Sequence, residues 1–240
     1  MKILVISDQE SKALWDYYTP DKFEGIDFII ACGDLKASYL EFLVTMTNLP
    51  IYYVTGNHDS KFVDDPPGGC ICIDDKVVVH KGIRIAGLGG SMKYKPGPYM
   101  YEEKEMRARI RRLKTSVIKK GGIDILVTHA APRGYGDMED IAHKGFECFN
   151  DLLERCKPLY MLHGHVHQSY RGGNFKRELK HKSGTVIINC YERYILEYDE
   201  NEHSPLTKKE LTKNLLTVFT SNNRKNGKNS DETEKKTERA

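Results

Sequence analysis

Short apolar segments that end in polar, glycine-containing turns constrain the fold of this chain more than any other feature of its sequence. Most are four to seven residues long, and several are rich in β-branched residues. They lie at residues 2–7, 26–32, 51–55, 77–80, 83–88, 123–128, 159–163, 185–190 and 193–198. Strands that are buried on both faces have this composition. We therefore predict a β-rich core built from brief strands.

Helical patterns separate several of these strands. Residues 102–119 carry apolar side chains at helical spacing, with arginines and lysines on the other faces: Met106, Ile110, Leu113 and Val117. Weaker helices are predicted at 35–47 and 146–156, each followed shortly by a proline. The Lys81-Gly82 pair predicts a hairpin turn. Strands alternating with helices, then hairpins, predict an α/β domain with two packed mixed sheets and helices outside.

Length and composition predict one domain at residues 1–200 and a charged tail at 201–240, because 240 residues are enough for a single core. In the tail, residues 206–219 predict one marginal helix and 220–240 predict disorder. The 39% hydrophobic and 30% charged content is typical of a soluble protein, and no apolar run approaches a membrane span. Six cysteines without metal or disulfide spacing, and no export signal, predict reduced thiols in the cytoplasm.

Polar residues with metal-binding side chains follow five of the predicted strands. They are Asp8 with Glu10, Gly33-Asp34, Gly56-Asn57-His58-Asp59, His129, and Gly164-His165-Val166-His167. Because ligands in open α/β sheets bind outside the carboxyl ends of the strands, these residues are expected to converge although they are distant in sequence. Glycine lets the backbone turn sharply there.

Each of these residues taken alone has a simpler explanation. An Asp or Asn after a strand is usually a turn or helix cap, and an isolated His is usually a surface or hydrogen-bonded core residue. We keep that interpretation for His80, His143, His181 and His203. The complete set of five strand ends is what indicates a metal site.

The order Gly-Asp, Gly-Asn-His-Asp, isolated His and Gly-His-x-His resembles the calcineurin-like metallophosphoesterases over residues 1–198. The resemblance implies the four-layer α/β/β/α sandwich of that family. It also implies one metal held by Asp8, Asp34 and His167, and a second held by Asn57, His129 and His165, with Asp34 bridging the two. Two catalytic roles follow from it: His58 contacts the scissile phosphate and aids the leaving group, and Asp59 orients His58.

The first motif departs from the family pattern, because Asp8-Gln9-Glu10 stands where the family has Asp-x-His. A Glu10 ligand would replace a neutral imidazole nitrogen with an anionic oxygen. We expect such a site to favour Mn, Mg or Fe over Zn, which remains able to bind. The added negative charge should raise the pKa of a bound water and weaken attraction for phosphate.

The predicted function is hydrolysis of a small phosphorylated substrate, a phosphodiester or phosphomonoester, with a cyclic nucleotide as the first guess. Hydroxide bridging two divalent cations would attack phosphorus in line with the leaving oxygen, and His58 would protonate that oxygen. The alternative is a non-catalytic scaffold of the same fold that binds a protein partner, which Glu10 supports and His58 opposes. A nucleic-acid processing nuclease is not favoured, because it would need a basic cleft or an extra domain, for which 240 residues leave little room.

Three further features of the sequence bear on the predicted function. Residues 87–91 resemble a nucleotide loop but lack the following helix and lysine, so they are interpreted as a strand end beside the site. Tyr94, Tyr99 and Tyr101 are possible walls for an organic group, and residues 129–137 resemble a stretch found in relatives of cyclic-nucleotide phosphodiesterases. Arg133 is interpreted mainly as structural, and the arginine-rich face of the 102–119 helix as solvated.

Overall fold

A computed structural model of the chain describes residues 1–171 and 175–216, and the side chain of Arg171 is not described. Four α-helices and thirteen short strands lie in these residues, and residues 208–216 are also helical. The helices are α1 (Ala37–Thr47), α2 (Glu103–Lys120), α3 (Glu147–Cys156) and α4 (Gln168–Arg171). The strands are β1 (Lys2–Ser7), β2 (Phe28–Ala31), β3 (Ile51–Tyr53), β4 (Ile71–Cys72), β5 (Val77–His80), β6 (Ile83–Leu88), β7 (Ser91–Met92), β8 (Met100–Tyr101), β9 (Ile125–Thr128), β10 (Tyr160–His163), β11 (Glu178–Lys180), β12 (Val186–Asn189) and β13 (Glu192–Glu197).

Two mixed sheets form the centre of the molecule. The first has the order β13-β1-β2-β3-β4, in which β1 to β4 are parallel and β13 is antiparallel to β1. The second has the order β11-β12-β10-β9-β6-β5, with four parallel central strands and antiparallel edges. A small third sheet pairs β7 with β8. The predicted mixed-sheet architecture is confirmed.

Successive side chains on the central strands enter two different hydrophobic clusters, which explains why the two sheets and the helices lie in layers. On β1, Ile3 and Val5 face the second sheet, whereas Leu4 and Ile6 pack in the cluster that contains the α1 residues Tyr39, Leu40 and Leu43. Successive strand side chains point to opposite faces, so a strand that is apolar throughout can fill two cores at once. This arrangement accounts for the continuous apolar runs in the sequence.

The outer face of the second sheet is covered by α2, α3 and the helical residues 208–216. Met106, Leu113 and Val117 of α2 are buried there, as the helical spacing predicted. Leu211 and Leu215 join the same cluster, so the predicted marginal helix packs on the domain. The result is the four-layer α/β/β/α sandwich. The last three residues of the predicted helix, 217–219, and the predicted disordered segment, 220–240, lie outside the described residues.

Turns and helix ends follow their local sequence. Lys81 and Gly82 both have positive φ, as a tight hairpin between β5 and β6 requires. Helix α2 begins with a reciprocal capping box between Glu102 and Glu105 and ends at Gly121 in the left-handed conformation. All six cysteines are free thiols. Among the described residues, none of the helices has both the length and the apolar character that a membrane span needs.

Candidate metal centre

The strand ends named in the sequence meet at one edge of the sandwich. Parallel strands β1, β2 and β3 of the first sheet deliver Asp8, Asp34 and Asn57, while β9 and β10 of the second sheet deliver His129 and His165. Asp8, Asp34 and His165 all adopt positive φ, between 56° and 69°. Non-glycine residues rarely adopt this conformation, and such strain concentrates at functional sites, where it aims side chains at a common point.

Two glycines let these strand ends approach each other. A Cβ added to Gly56 would overlap the carboxylate of Asp34, and a Cβ added to Gly164 would overlap Ser7 and the carboxylate of Asp8. Backbone amides hold both carboxylates, Asp34 through His58 and Asp8 through His165, so neither collision could be relieved cheaply. The glycines of the Gly-Asn-His-Asp and Gly-His-x-His motifs are therefore steric requirements of the site.

Asp34, His129 and His165 each offer a ligand atom, and these three atoms lie within 4.8 Å of one another. His129 Nε2 is 3.2 Å from Asp34 Oδ2 and 3.1 Å from the side-chain oxygen of Asn57. Carboxylate oxygen, amide oxygen and imidazole nitrogen form a donor set that suits Mn, Fe or Zn. The residues present therefore fit a divalent cation.

Backbone carbonyls orient both imidazoles. The Nδ1–H of His129 donates to the carbonyl of Cys32 at 2.8 Å, which directs Nε2 toward Asp34. The Nε2–H of His165 donates to the carbonyl of Ala142 at 2.7 Å, which leaves Nδ1 as its ligand atom. A metal-binding histidine commonly has its second nitrogen held in this way, because the hydrogen bond fixes the ring and its tautomer.

The electrostatics of this cluster favour positive charge at its centre. Burial opposes ionisation of both Asp34 and His129, yet their mutual attraction lowers the pKa of Asp34 to about 2 and raises that of His129 to about 10. Burial and the adjacent charge of His129 lower the pKa of His165 to about 3. A cation among these groups competes with the proton on His129 for the same negative field.

A second pair of predicted ligands lies beside this cluster. Nε2 of His167 is 3.6 Å from Oδ1 of Asp8, and both carboxylate oxygens of Asp8 accept the His165 amide at 2.9 and 3.0 Å. The ring of His167 stacks on Tyr170 at 4.6 Å and lies 4.8 Å from Tyr191. The assignment of Asp8 and His167 to one metal stays a prediction, with geometry that is compatible with it.

Glu10 is not among the three residues whose ligand atoms converge, and its carboxylate is bound by Lys36. Its carboxylate accepts the backbone amide of Lys36 at 3.2 Å and lies 3.6 Å from the Lys36 ammonium. Glu10 lines a neighbouring cavity in which neither His129 nor His165 takes part. Its role as a metal ligand stays a prediction.

The side chains of His58 and Asp59 lie in different environments. The His58 amide donates to Asp34 Oδ1 at 2.8 Å, and its side chain is exposed at the mouth of the site. The buried carboxylate of Asp59 accepts the amides of Gly56 at 2.7 Å and Asp34 at 2.9 Å. Burial and the charge of Asp34 raise the pKa of Asp59 to about 7. Asp59 thus supports the backbone under Asp34, and its predicted role of orienting the His58 ring stays a prediction.

An ionic network behind the site was missed in the sequence. The Asp74 carboxylate accepts hydrogen bonds from the Thr55 amide at 3.1 Å, from the Thr55 hydroxyl at 2.7 Å and from the Gly89 amide. The Gly90 amide donates to the Thr55 carbonyl at 2.6 Å. Arg109 holds Asp74 at 3.3 Å and the Gly89 carbonyl at 2.6 Å. Asp74, Gly89 and Gly90 therefore fix the position of Thr55, the residue that precedes Gly56-Asn57. Arg109, predicted on a solvated face, is only 4% exposed.

The loop after β9 closes one side of the site. Arg133 is engaged by Asp137 at 2.7 Å and by Glu139 at 2.6 Å, in agreement with its structural interpretation. His143, which the sequence analysis did not assign to the site, lines the cavity bordered by Asp34 and His165, which we call the metal cavity. Its Nδ1–H donates to Asp140 at 2.8 Å, and its ring packs 4.9 Å from that of His165. No strand precedes His143, so strand-end reasoning could not find it.

Aromatic rings border the metal cavity, whose volume is about 370 Å³. Of the three tyrosines predicted as walls, Tyr94 lies there and its hydroxyl accepts a hydrogen bond from Asn57 at 3.3 Å. Tyr101 instead stacks under the Arg109 guanidinium at 4.3 Å, and Tyr99 does not line the cavity. Tyr170 supplies the second ring, which the sequence did not indicate.

A comparison with protein families decides the classification. A model described as the calcineurin-like phosphoesterase superfamily domain matches residues 1–190. The chain belongs to this superfamily. The match spans all of the strand-end motifs that meet at the site, from Asp8 to His167, so the family expected from the sequence is confirmed.

The individual proteins to which the chain is similar are distant in sequence. An uncharacterised Haemophilus influenzae protein is 27% identical over 172 residues, which cover 59% of this chain and 73% of that protein. A Danio rerio lariat debranching enzyme is 25% identical over 201 residues, covering 60% of this chain but only 35% of the enzyme. A Thermus thermophilus crystal structure superposes with a TM-score of 0.56 at 18% identity, over 80% of this chain and 89% of that one. The structural likeness supports the shared fold.

Proposed function

We propose that this chain hydrolyses phosphate diesters with the help of two divalent cations. The observation that carries the proposal is the convergence of Asp34, His129 and His165 within 4.8 Å, with both imidazoles oriented by carbonyls. Asn57 would join His129 and His165 on one cation, Asp8 and His167 would hold the other, and Asp34 would bridge them. Mn, Fe or Mg is favoured, with Zn possible.

The chain's own groups would divide the work around a bound phosphate. When bound, two cations supply positive charge to the phosphoryl oxygens and lower the pKa of a water molecule between them. The exposed His58 would deliver a proton to the departing oxygen, because its amide is anchored on Asp34 beside the reacting phosphorus. Asp59 would hold the Asp34 backbone in place through its hydrogen bond to the amide.

Size and shape favour a diester over a monoester. The aromatic-walled cavity at the cluster can take an organic group between Tyr94 and Tyr170, and His58 also lines a second cavity. A monoester has a substituent for only one of these spaces. A cyclic nucleotide, the first guess from the sequence, is one small diester to include in the substrate panel.

Metal-stripped protein, supplied in turn with Mn, Mg, Fe and Zn, tests this proposal on bis(p-nitrophenyl) phosphate, p-nitrophenyl phosphate and a cyclic nucleotide. We expect diester turnover with at least one metal, faster than monoester turnover, and loss of more than 100-fold in kcat for His129→Ala. Arg112→Ala, on the exposed surface of α2, is the matched control. Absence of turnover with all four metals would favour the scaffold function instead.

A further inference from the structure

His58 stands between two cavities. It lines the metal cavity together with Asn57 and Tyr94, and it also lines a larger outer cavity of about 640 Å³. Asp34 borders both spaces, and its carboxylate accepts the His58 amide at 2.8 Å. The His58 backbone is thereby fixed relative to a predicted metal ligand, and the residue borders both cavities.

The position of His58 gives the two spaces different roles, provided that the proposed function holds. In-line displacement sends the leaving oxygen away from the attacking water. A proton donor must lie within hydrogen-bond reach of that oxygen. The leaving group therefore departs past His58, and the space beyond His58 is the outer cavity. The group that stays on phosphorus remains in the metal cavity, near Tyr94 and Tyr170.

We propose that the outer cavity is the leaving-group subsite of this phosphoesterase and that it takes a neutral, hydroxyl-bearing alcohol of nucleoside or sugar size. The reaction then converts a linear diester and water into a monoester and an alcohol. One phosphorus–oxygen bond forms to the water oxygen, the bond to the alcohol oxygen breaks, and His58 supplies the proton that this oxygen gains. The proton that the attacking water loses passes to solvent and His58 regains one from solvent, so no other co-reactant is needed.

The volume of the cavity supports an organic leaving group. Ligand sites for small molecules commonly span roughly 300 to 1,000 Å³, and the outer cavity falls within this range at about 640 Å³. Two apolar side chains in its lining are held by packing: Leu35 is buried, and the half-buried ring of Phe62 packs edge-on against Tyr53 at 6.0 Å. A small leaving group such as methanol would leave most of this space to water.

The lining selects hydroxyl groups. Ser38 and Ser60 offer hydroxyls that can donate or accept, and Glu41 lines the same space while one of its oxygens accepts the Gly68 amide at 2.8 Å. Carboxylates are effective acceptors for sugar hydroxyls, as in nucleotide ribose recognition. Phe62 adds an apolar surface for a ring.

The charges of the lining exclude a second phosphate as the main feature of the leaving group. Outside the metal ligands and Asp59, three carboxylates (Glu10, Glu41 and Asp65) face two ammonium groups (Lys36 and Lys61). Glu10 is already paired with Lys36 at 3.6 Å. This balance gives no positive excess to attract another anion, so the subsite suits a neutral alcohol.

Filling the subsite from an exposed position tests the proposal. Ser38 is exposed in the first turn of α1, lines the outer cavity and makes no side-chain cap, so Ser38→Trp should fold normally while it occupies the space. Lys61→Trp provides a second insertion from another segment. Thr45→Trp is the control, because Thr45 is exposed on the same helix and lines neither cavity.

The substrates are two esters of thymidine 5′-phosphate, one with methanol and one with the 3′-hydroxyl of a second thymidine, and the released alcohol is quantified by chromatography. We expect Ser38→Trp and Lys61→Trp to lower kcat/KM for the dinucleotide at least 10-fold and for the methyl ester less than 2-fold. Thr45→Trp should change neither. Thermal unfolding of each variant checks that the fold is intact.

Three results would overturn the subsite: an equal loss on both esters, no loss on either, or failure of the wild-type protein to cleave these esters while it turns over bis(p-nitrophenyl) phosphate. A wild-type protein that is inert toward bis(p-nitrophenyl) phosphate with every metal contradicts the proposed function itself. The two failures are thereby distinguished.

Discussion

Replacing Arg109 with methionine tests whether the buried network behind the site stabilises the fold. The substitution keeps much of the apolar stem but removes the guanidinium. It deletes contacts to Asp75 at 2.8 Å, to the Gly89 carbonyl at 2.6 Å and to Asp74 at 3.3 Å. It also removes the stacking on Tyr101. Both carboxylates are then left without their main cation.

The expected loss can be worked from burial. Breaking a fully buried ion pair costs about 3 to 5 kcal/mol. The Arg109 side chain is 5% exposed, but its partners Asp74 and Asp75 are 16% and 38% exposed, and solvent screening lowers the value. We therefore expect the free energy of unfolding to fall by about 3 kcal/mol. For a chain of this size, that corresponds to a decrease in Tm of roughly 6 to 12 °C.

The assay is urea denaturation of metal-stripped protein followed by circular dichroism, with Tm from calorimetry. Arg112→Met is the control on the same helix, since the Arg112 side chain is 64% exposed and lies 3.8 Å from Asp75. It should change stability by less than about 0.5 kcal/mol. If Arg109→Met matched this control, the buried network would have no stabilising role.

Three shorter predictions concern pH, metal choice and the substrate wall. Burial opposes ionisation of Asp124, but Arg84 and the Ser204 amide outweigh it and lower the pKa of this carboxyl. The ionised Asp124 therefore stabilises the fold above its unfolded-state pKa, and this contribution is lost as pH falls through the folded-state pKa. Asp124→Asn should thus flatten the decline of stability in acid titrations below about pH 4, and an unchanged slope contradicts the assignment. Glu10→His should retain metal and bind zinc more tightly in calorimetric titrations, whereas a variant without metal would count against Glu10 occupying that ligand position. Tyr94→Phe should raise KM about threefold to tenfold through the lost Asn57 hydrogen bond, while Tyr101→Phe should not, because Tyr101 packs on Arg109; equal effects would refute Tyr94 as a wall.

The sequence predicted the features that depend on local pattern and chain direction. Continuous apolar runs gave the major strands, and helical spacing placed Met106, Leu113 and Val117 in the core. The convergence of Asp34, His129 and His165 followed from the rule that parallel strands present their carboxyl ends at one edge. Short strands such as β4, β7 and β8, each of two residues, carry too little pattern to be found this way.

The features that the sequence missed depend on where a side chain turns after the fold has formed. Arg109 lies on a face that reads as solvated, but its long stem carries the guanidinium back to Asp74 and Asp75. The side chain of Glu10 could reach either a metal or Lys36, and only tertiary geometry distinguishes these directions. The adjacent aspartates at 74 and 75, between two strands, were the one available signal for the network.

Anomalous diffraction from manganese-soaked crystals tests the central claim most directly. The account predicts two peaks roughly 3.5 to 4 Å apart, both within coordination distance of Asp34, one also contacting Asn57, His129 and His165 and the other contacting Asp8 and His167. The absence of any peak next to Asp34 and His129, at manganese concentrations that saturate activity, would contradict it.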